Sequence, residues 1–187
     1  SSLYSESTFQ PSVCIDGVTA NQGSGADEEV NICLSGVGVA DPWLAVSLVG
    51  RSVVREVVVY GRSDCCNDML QDFEVWVGDA VGAPSADGGW SLCAHVTAAL
   101  PEAASVTTVG CGAAVGSVVA LRLPGESRTI MVSEMVVRGT VHISLRPTLA
   151  ITSSSTSAFA SAAARDTTST ITVTASSAID APIALSA

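Results

Sequence analysis

The sequence predicts an all-β chain, an antiparallel β-sandwich followed by a Ser/Thr/Ala-rich extension, and three observations carry that prediction. Short runs rich in β-branched residues recur through the first 140 residues, punctuated by Gly, Pro, Asp and Ser. In "DFEVWVG" (72–78), Phe73, Val75 and Val77 alternate with Glu74 and Trp76, the period of a strand with two different faces. No segment carries the 3.6-residue period of a long amphipathic helix, and a sandwich is the layer architecture that buries one face of each such strand.

The strands are expected in order at "LAVSLV" (44–49), "SVVREVVVY" (52–60), "DFEVWVG" (72–78), "SVVALRLP" (117–124) and "TIMVSEMVVRGTV" (129–141). Gly50 and Arg51 separate the first two, and Gly61, Gly78 and Pro124 close others. The main domain is read as residues 1–140. From residue 141 the composition changes, with Ser and Thr making up 15 of the 26 residues from Thr152 to Ser177. Such composition ordinarily marks a glycosylated stalk or a linker. Within it, however, "TSTITVTAS" (168–176) alternates like a strand, so residues 141–187 are expected to be extended or strand-like and packed on their own domain or on a partner.

Charge excludes some partners. The chain of 187 residues carries 18 acidic and 8 basic side chains, a net charge of −10, and every basic residue is Arg. Nucleic acid and anionic membrane surfaces would be repelled by that balance. The longest apolar run, "VGCGAAVGSVVAL" (109–121), is glycine-broken and shorter than the roughly 18 residues of a membrane span. The start at Ser1, without a charged-then-apolar leader, reads as a processed or trimmed product.

Six cysteines with no CxxC pair read as disulfides rather than a zinc site, and so as an oxidising, extracellular compartment. Cys14 and Cys33 bracket an acidic, Gly-containing loop. Cys93 and Cys111 bracket an Ala/Thr/Pro-rich one. Two local bridges are natural and leave Cys65 to meet Cys66. Adjacent Cα atoms lie about 3.8 Å apart, whereas a disulfide wants roughly 4.4–6.8 Å, so on geometry alone free thiols, bridges to distant partners or a metal role stay open for that pair.

"DPWLAVSL…VREVVVYGRSDCCNDMLQDFEVWVGD" (41–79) with "VVALRLPG…IMVSEMVVRG" resembles the F-type lectins, or fucolectins, over roughly residues 10–140. The most specific element is Arg62, Asp64, Cys65 and Cys66 after a valine-rich strand. The resemblance implies a discoidin-like jelly roll that binds L-fucose. It also implies a bridge between Cys65 and Cys66 whose flat face packs against the sugar ring. The family's fucose fork adds a His and a second basic residue. Here Ser35 stands at the first position and Met69 at the second. Met is only a weak acceptor and Ser is short, so ordinary fucose binding is expected to be lost or very weak.

The same resemblance implies a structural Ca²⁺. Asp16 in "VCIDGV" (13–18) and Glu134 in "SEM" (133–135) would supply carboxylates, and Val13, Val18, Ile32 and Ser133 would supply backbone carbonyls, a hard-cation shell. Ser133 stands where the family has a cysteine, and Cys14 is expected to replace it as the partner of Cys33. Trp43, Trp76 and Trp90 could stack on sugars or partners; the resemblance implies a core place for Trp43 after "DP", and Trp90 in "DGGW" is the loop candidate. His95 and His142 show no hydrolytic-triad spacing, and no enzyme is expected. The functional expectation is an extracellular lectin-like module with a decayed fucose pocket, docking other protein subunits of a surface assembly and possibly glycans. The alternative is an active lectin of altered sugar specificity.

Overall fold

The computed structural model describes residues 11–19, 32–62, 66–98, 100, 105–141 and 184–186. Among them there is no α-helix; short 3-10 turns at Pro11–Ile15, Asn67–Leu70 and Ala86–Gly88 link the strands. The strands are β1 (Cys33–Leu34), β2 (Trp43–Tyr60), β3 (Phe73–Gly78), β4 (Ser91–Val96), β5 (Val106–Arg122), β6 (Met131–Val132), β7 (Glu134–Val141) and β8 (Ala184–Ser186). All pairings are antiparallel: β4-β3-β5-β2-β7 form the large sheet, β8 adds to the free stretch of β2, and β1 pairs with β6 opposite.

The expected strands 44–49 and 52–60 are one strand. The register with β5 slips between Ser47 and Ser52. The Ser52 hydroxyl donates to the Gly50 carbonyl at 2.9 Å, so Gly50 and Arg51 form a bulge that bends β2 without ending it. The opposite happens at 129–141, where one apolar run divides at Ser133 between two sheets. The Ser133 N–H donates to the Tyr60 carbonyl at 2.8 Å and its hydroxyl to the Gly61 carbonyl at 3.0 Å. That corner releases β6 to β1 and β7 to β2. The run at 117–124 is the end of a much longer β5, and β1 and β4 were not expected at all.

Alternation then sorts the side chains. Leu44, Val46, Val57, Val59, Phe73, Val75, Val77, Val119 and Leu121 point inward and join Leu70, Leu123, Ile130, Val132 and Met135 in one buried core. Each such side chain stabilises the fold by roughly 1.5–3 kcal/mol. The residues between them, Trp43, Ala45, Trp76, Val118 and Ala120, form a second cluster with Trp90 on the outer face. The large sheet is thus apolar on both faces.

Two disulfides staple this frame. Cys14–Cys33 ties the turn Pro11–Ile15 to β1 with a Cα separation of 5.4 Å. Cys93–Cys111 joins β4 to β5 at 4.3 Å. Both of its ends lie in bulges: Cys93 is the extra residue between the pairs Val75↔Ala94 and Trp76↔Leu92, and Cys111 opens the irregular stretch between the pairs Glu56↔Gly110 and Val54↔Ala114. A bulge frees a residue from the ladder and re-aims it, which lets two strands that are not neighbours in the sheet be bridged. Cys66 is also disulfide-bonded, while Cys65 lies outside the described residues. These disulfides fit an extracellular location, and no helix among the described residues is long and apolar enough to cross a membrane.

Candidate functional site

Of the residues named for a cation, Asp16 and Glu134 meet at the start of β7. Glu134 follows the Ser133 corner and has no solvent exposure. The turn Pro11–Ile15, held down by Cys14–Cys33, delivers Asp16 and Gly17 to it. The Gly17 N–H donates to Glu134 Oε2 at 3.2 Å, and Glu134 Oε1 is buried with no hydrogen-bond partner among the described residues. Burial pushes the Glu134 carboxyl up to about 7, the neighbouring Asp16 charge adds to the rise, and backbone N–H groups of Gly17 and Asp16 oppose it. Asp16 Oδ1 accepts from the Val18 N–H at 2.8 Å and so closes its own loop. Gly17, at φ +86°, makes that tight turn accessible. Ile32 is buried, Val13 half-buried and Val18 exposed around the same turn.

The described residues named for a sugar gather around β6. Ser35 has no solvent exposure; its hydroxyl accepts from the Ile130 N–H at 2.9 Å and donates to the Gly36 carbonyl at 3.1 Å. Arg62 is half-buried, with Nη1 donating to Met131 Sδ at 3.3 Å. Met69 is 46 % exposed on the turn Asn67–Leu70, whose first residue is preceded by Cys66 in a left-handed conformation at φ 66°. The Met69 N–H donates to the Cys66 carbonyl at 3.1 Å. Asp64 and Cys65 lie outside the described residues.

Trp43 is buried as expected, whereas Trp90, the loop candidate, is placed differently from expectation. Trp90 is buried on the outer face of the large sheet, over Gly78, where any Cβ would run into its ring. The Ser85 hydroxyl caps the turn Ala86–Gly88 by accepting from the Gly88 N–H, and this turn folds the loop back. Trp90 is therefore packing rather than an open stacking surface. Trp76 donates from Nε1 to Glu74 Oε2 at 2.9 Å. His95 does have an acidic partner that spacing did not reveal: Nε2 lies 2.8 Å from Asp72 Oδ1. The strand register Glu74↔His95 brings His95 beside Asp72, 23 residues away in sequence. That pair is about half exposed and also faces Arg128, a solvated ion-pair group at the end of β3 and β4.

Comparison with solved structures bears on the fold. A fucolectin from the serum of striped bass, Morone saxatilis, superposes with a TM-score of 0.62 at 25 % identity over 75 % of this chain. The chain spans 44 % of the length of that lectin. A fucose-binding module of Streptococcus pneumoniae gives 0.58 at 19 % identity, covering 73 % of this chain and 86 % of the module. The lectin domain of Lectinolysin, solved with Lewis B antigen, gives 0.58 at 16 % identity over 73 % of this chain and 87 % of that domain. No curated protein matches the sequence. These neighbours are carbohydrate-binding modules rather than enzymes, and the sandwich described above is theirs. The family model of NedA-like, galactose-binding domains, of F5/F8 type C, matches residues 14–121, more than half of the chain, and the protein belongs to that family.

Proposed function

We propose that this chain is an extracellular lectin-like module whose fucose pocket has decayed and whose fold is tied by Ca²⁺, and that it serves as a structural or adhesion subunit docking other proteins in a surface assembly. One observation carries the decay. The Ser35 hydroxyl is buried and engaged by Ile130 and Gly36, so the position that would hold one arm of a sugar fork works inside the fold. Met69, exposed at the second position, offers no charge-assisted donor. Arg62 is left without the two side chains that would orient a ring with it.

The Ca²⁺ part of the proposal is supported by the chemistry at Glu134. A buried carboxylate with one unpartnered oxygen beside a second carboxylate is an uncompensated charge, and a hard cation offsets it. Asp16 and Glu134 would hold the ion together with the carbonyls of Val13, Val18, Ile32 and Ser133. When bound, the ion supplies positive charge and no chemistry of its own. The chain's residues orient the loop and exclude water from it.

A second reading, a working lectin of altered specificity, is favoured by the exposed Met69 next to disulfide-bonded Cys66, an apolar surface on which a sugar ring could rest. A glycan array run with and without chelator separates the two. The proposal expects no fucosylated glycan to be retained under either condition. Retention of fucose overturns it, and calcium-dependent retention of another sugar establishes the second reading.

A further inference from the structure

Among the described residues, the N-terminal stretch of β2 is a sheet edge met only by β8. On one side Trp43–Ser47 pair with β5. On the other, β7 covers only Ser52–Tyr60, and among the described residues just one short element approaches the rest: Ala184–Ser186 pair antiparallel with Trp43–Ala45. The edge does not stop there. Val46, Ser47, Leu48 and Val49 continue it, no charged residue occurs between Asp41 and Arg51, and Val49 is 67 % exposed. Uncharged, β-branched edges are templates for strand addition unless something covers them.

We infer that this edge is a strand-exchange site, and that its partner is the C-terminal strand of a second copy of the chain. The register on the page, Trp43↔Ser186, Leu44↔Leu185 and Ala45↔Ala184, defines what the edge accepts, and it accepts this chain's own C-terminal sequence. A strand that closes its own edge makes the same ladder on the edge of an identical neighbour, which is the low-cost route of domain swapping. Residues 142–183 connect β7 to β8; their extended length is bounded at roughly 140 Å, several times a domain diameter, so the strand can reach another molecule.

Concentration decides which pairing prevails. A connection of this length gives intramolecular pairing an effective concentration on the order of millimolar. Dilute chains therefore close their own edge, and chains packed side by side on a surface exchange strands. This inference rests on the assembly part of the proposed function and names its partner. It is independent of the sugar pocket and of the cation.

Register-matched cysteines test it on the full chain. Ala45→Cys and Ala184→Cys are made in separate molecules, mixed, and oxidised under conditions that spare the native bridges. A disulfide-linked heterodimer is expected, rising roughly in proportion to concentration and approaching half of the protein near millimolar. Val49→Cys mixed with Ala184→Cys, four residues out of register, should link at most about a tenth as much. In the unmodified chain, sedimentation should find dimers at the same concentrations, and Ser186→Pro should abolish them, because Leu44 faces β5 and leaves the ladder bonds to β8 at the pairs Trp43↔Ser186 and Ala45↔Ala184. Linkage only within a doubly substituted chain overturns the inference, as does equal linkage at Val49, or dimers that survive Ser186→Pro. Each of those results leaves the glycan-array outcome untouched, so the exchange site and the functional reading fail separately.

Discussion

Glu134 sets the pH behaviour of the fold. Its carboxyl titrates near 7 in the folded protein against an ordinary value of 4.5, chiefly because it is desolvated. A carboxyl raised by folding binds its proton more tightly in the native state, so the stabilisation is complete below pH 4.5 and is lost as pH rises to about 7. Without a cation, urea unfolding should therefore report a protein less stable at pH 8 than at pH 5, by about 3 kcal/mol if Glu134 dominates. Glu134→Gln, neutral and of the same shape, should flatten that slope between the two pH values. Ser35 is a different case at the same scale. Ser35→Ala removes a hydroxyl held by Ile130 and Gly36 and should cost about 1 kcal/mol of stability, measured by the same unfolding, with no change in any glycan retained. Loss of a glycan signal on that substitution would return Ser35 to the sugar site. Reinstating an imidazole at this position would overfill a site with no solvent exposure, so this pocket is not one substitution away from recovery.

Between elements, the Cys14–Cys33 bridge connects fold to loop. It closes a 19-residue separation and clamps the turn carrying Asp16 and Gly17 against β1. Replacing both cysteines by Ser should lower stability by roughly 2–4 kcal/mol and weaken any Ca²⁺ affinity as well, because the carboxylate of Asp16 then has to be ordered at the moment of binding. Titration calorimetry of the double variant checks this; unchanged affinity would mean that the turn holds its shape unaided. The contact of β3 with the loop before β4 is equally specific. Gly78→Ala puts a Cβ into the Trp90 ring and should push the indole off the sheet, with a red-shifted tryptophan emission and a loss of about 1–3 kcal/mol. An unshifted spectrum would show that the ring has another seat.

At the scale of the whole molecule, a bound cation acts through linkage, since it stabilises only the state that holds both carboxylates. Chelation should lower the melting temperature of the wild type by several degrees at pH 8, scarcely affect Asp16→Ala or Glu134→Ala, and matter less at pH 5, where Glu134 is protonated. Equal melting curves with and without chelator would reduce Asp16–Gly17 to a turn. The net charge of −10 gives the same chain a reason to remain dispersed when dilute, which is consistent with strand exchange being confined to crowded surroundings.

Much of this was legible in the sequence, because period-2 alternation and β-branched composition are local properties that survive into the folded state. The all-β class, most of the strand positions and the two local disulfides follow from residues near each other in the chain. Asp16 and Glu134 could be named together only through a family resemblance, since 118 residues separate them and nothing local couples them. Tertiary structure alone decided the rest. Gly50 looked like a strand end and is a bulge, because the ladder with β5 resumes at Ser52 and carries the strand through it. The run 129–141 looked continuous and turns a corner, because Ser133 is held by the end of β2. Trp90 looked like an open loop residue and is buried, because Gly78 leaves room for its ring on a sheet that is apolar on both faces. Burial and hydrogen-bond partnership depend on what the rest of the chain brings alongside, and a single sequence does not carry that information at any one position.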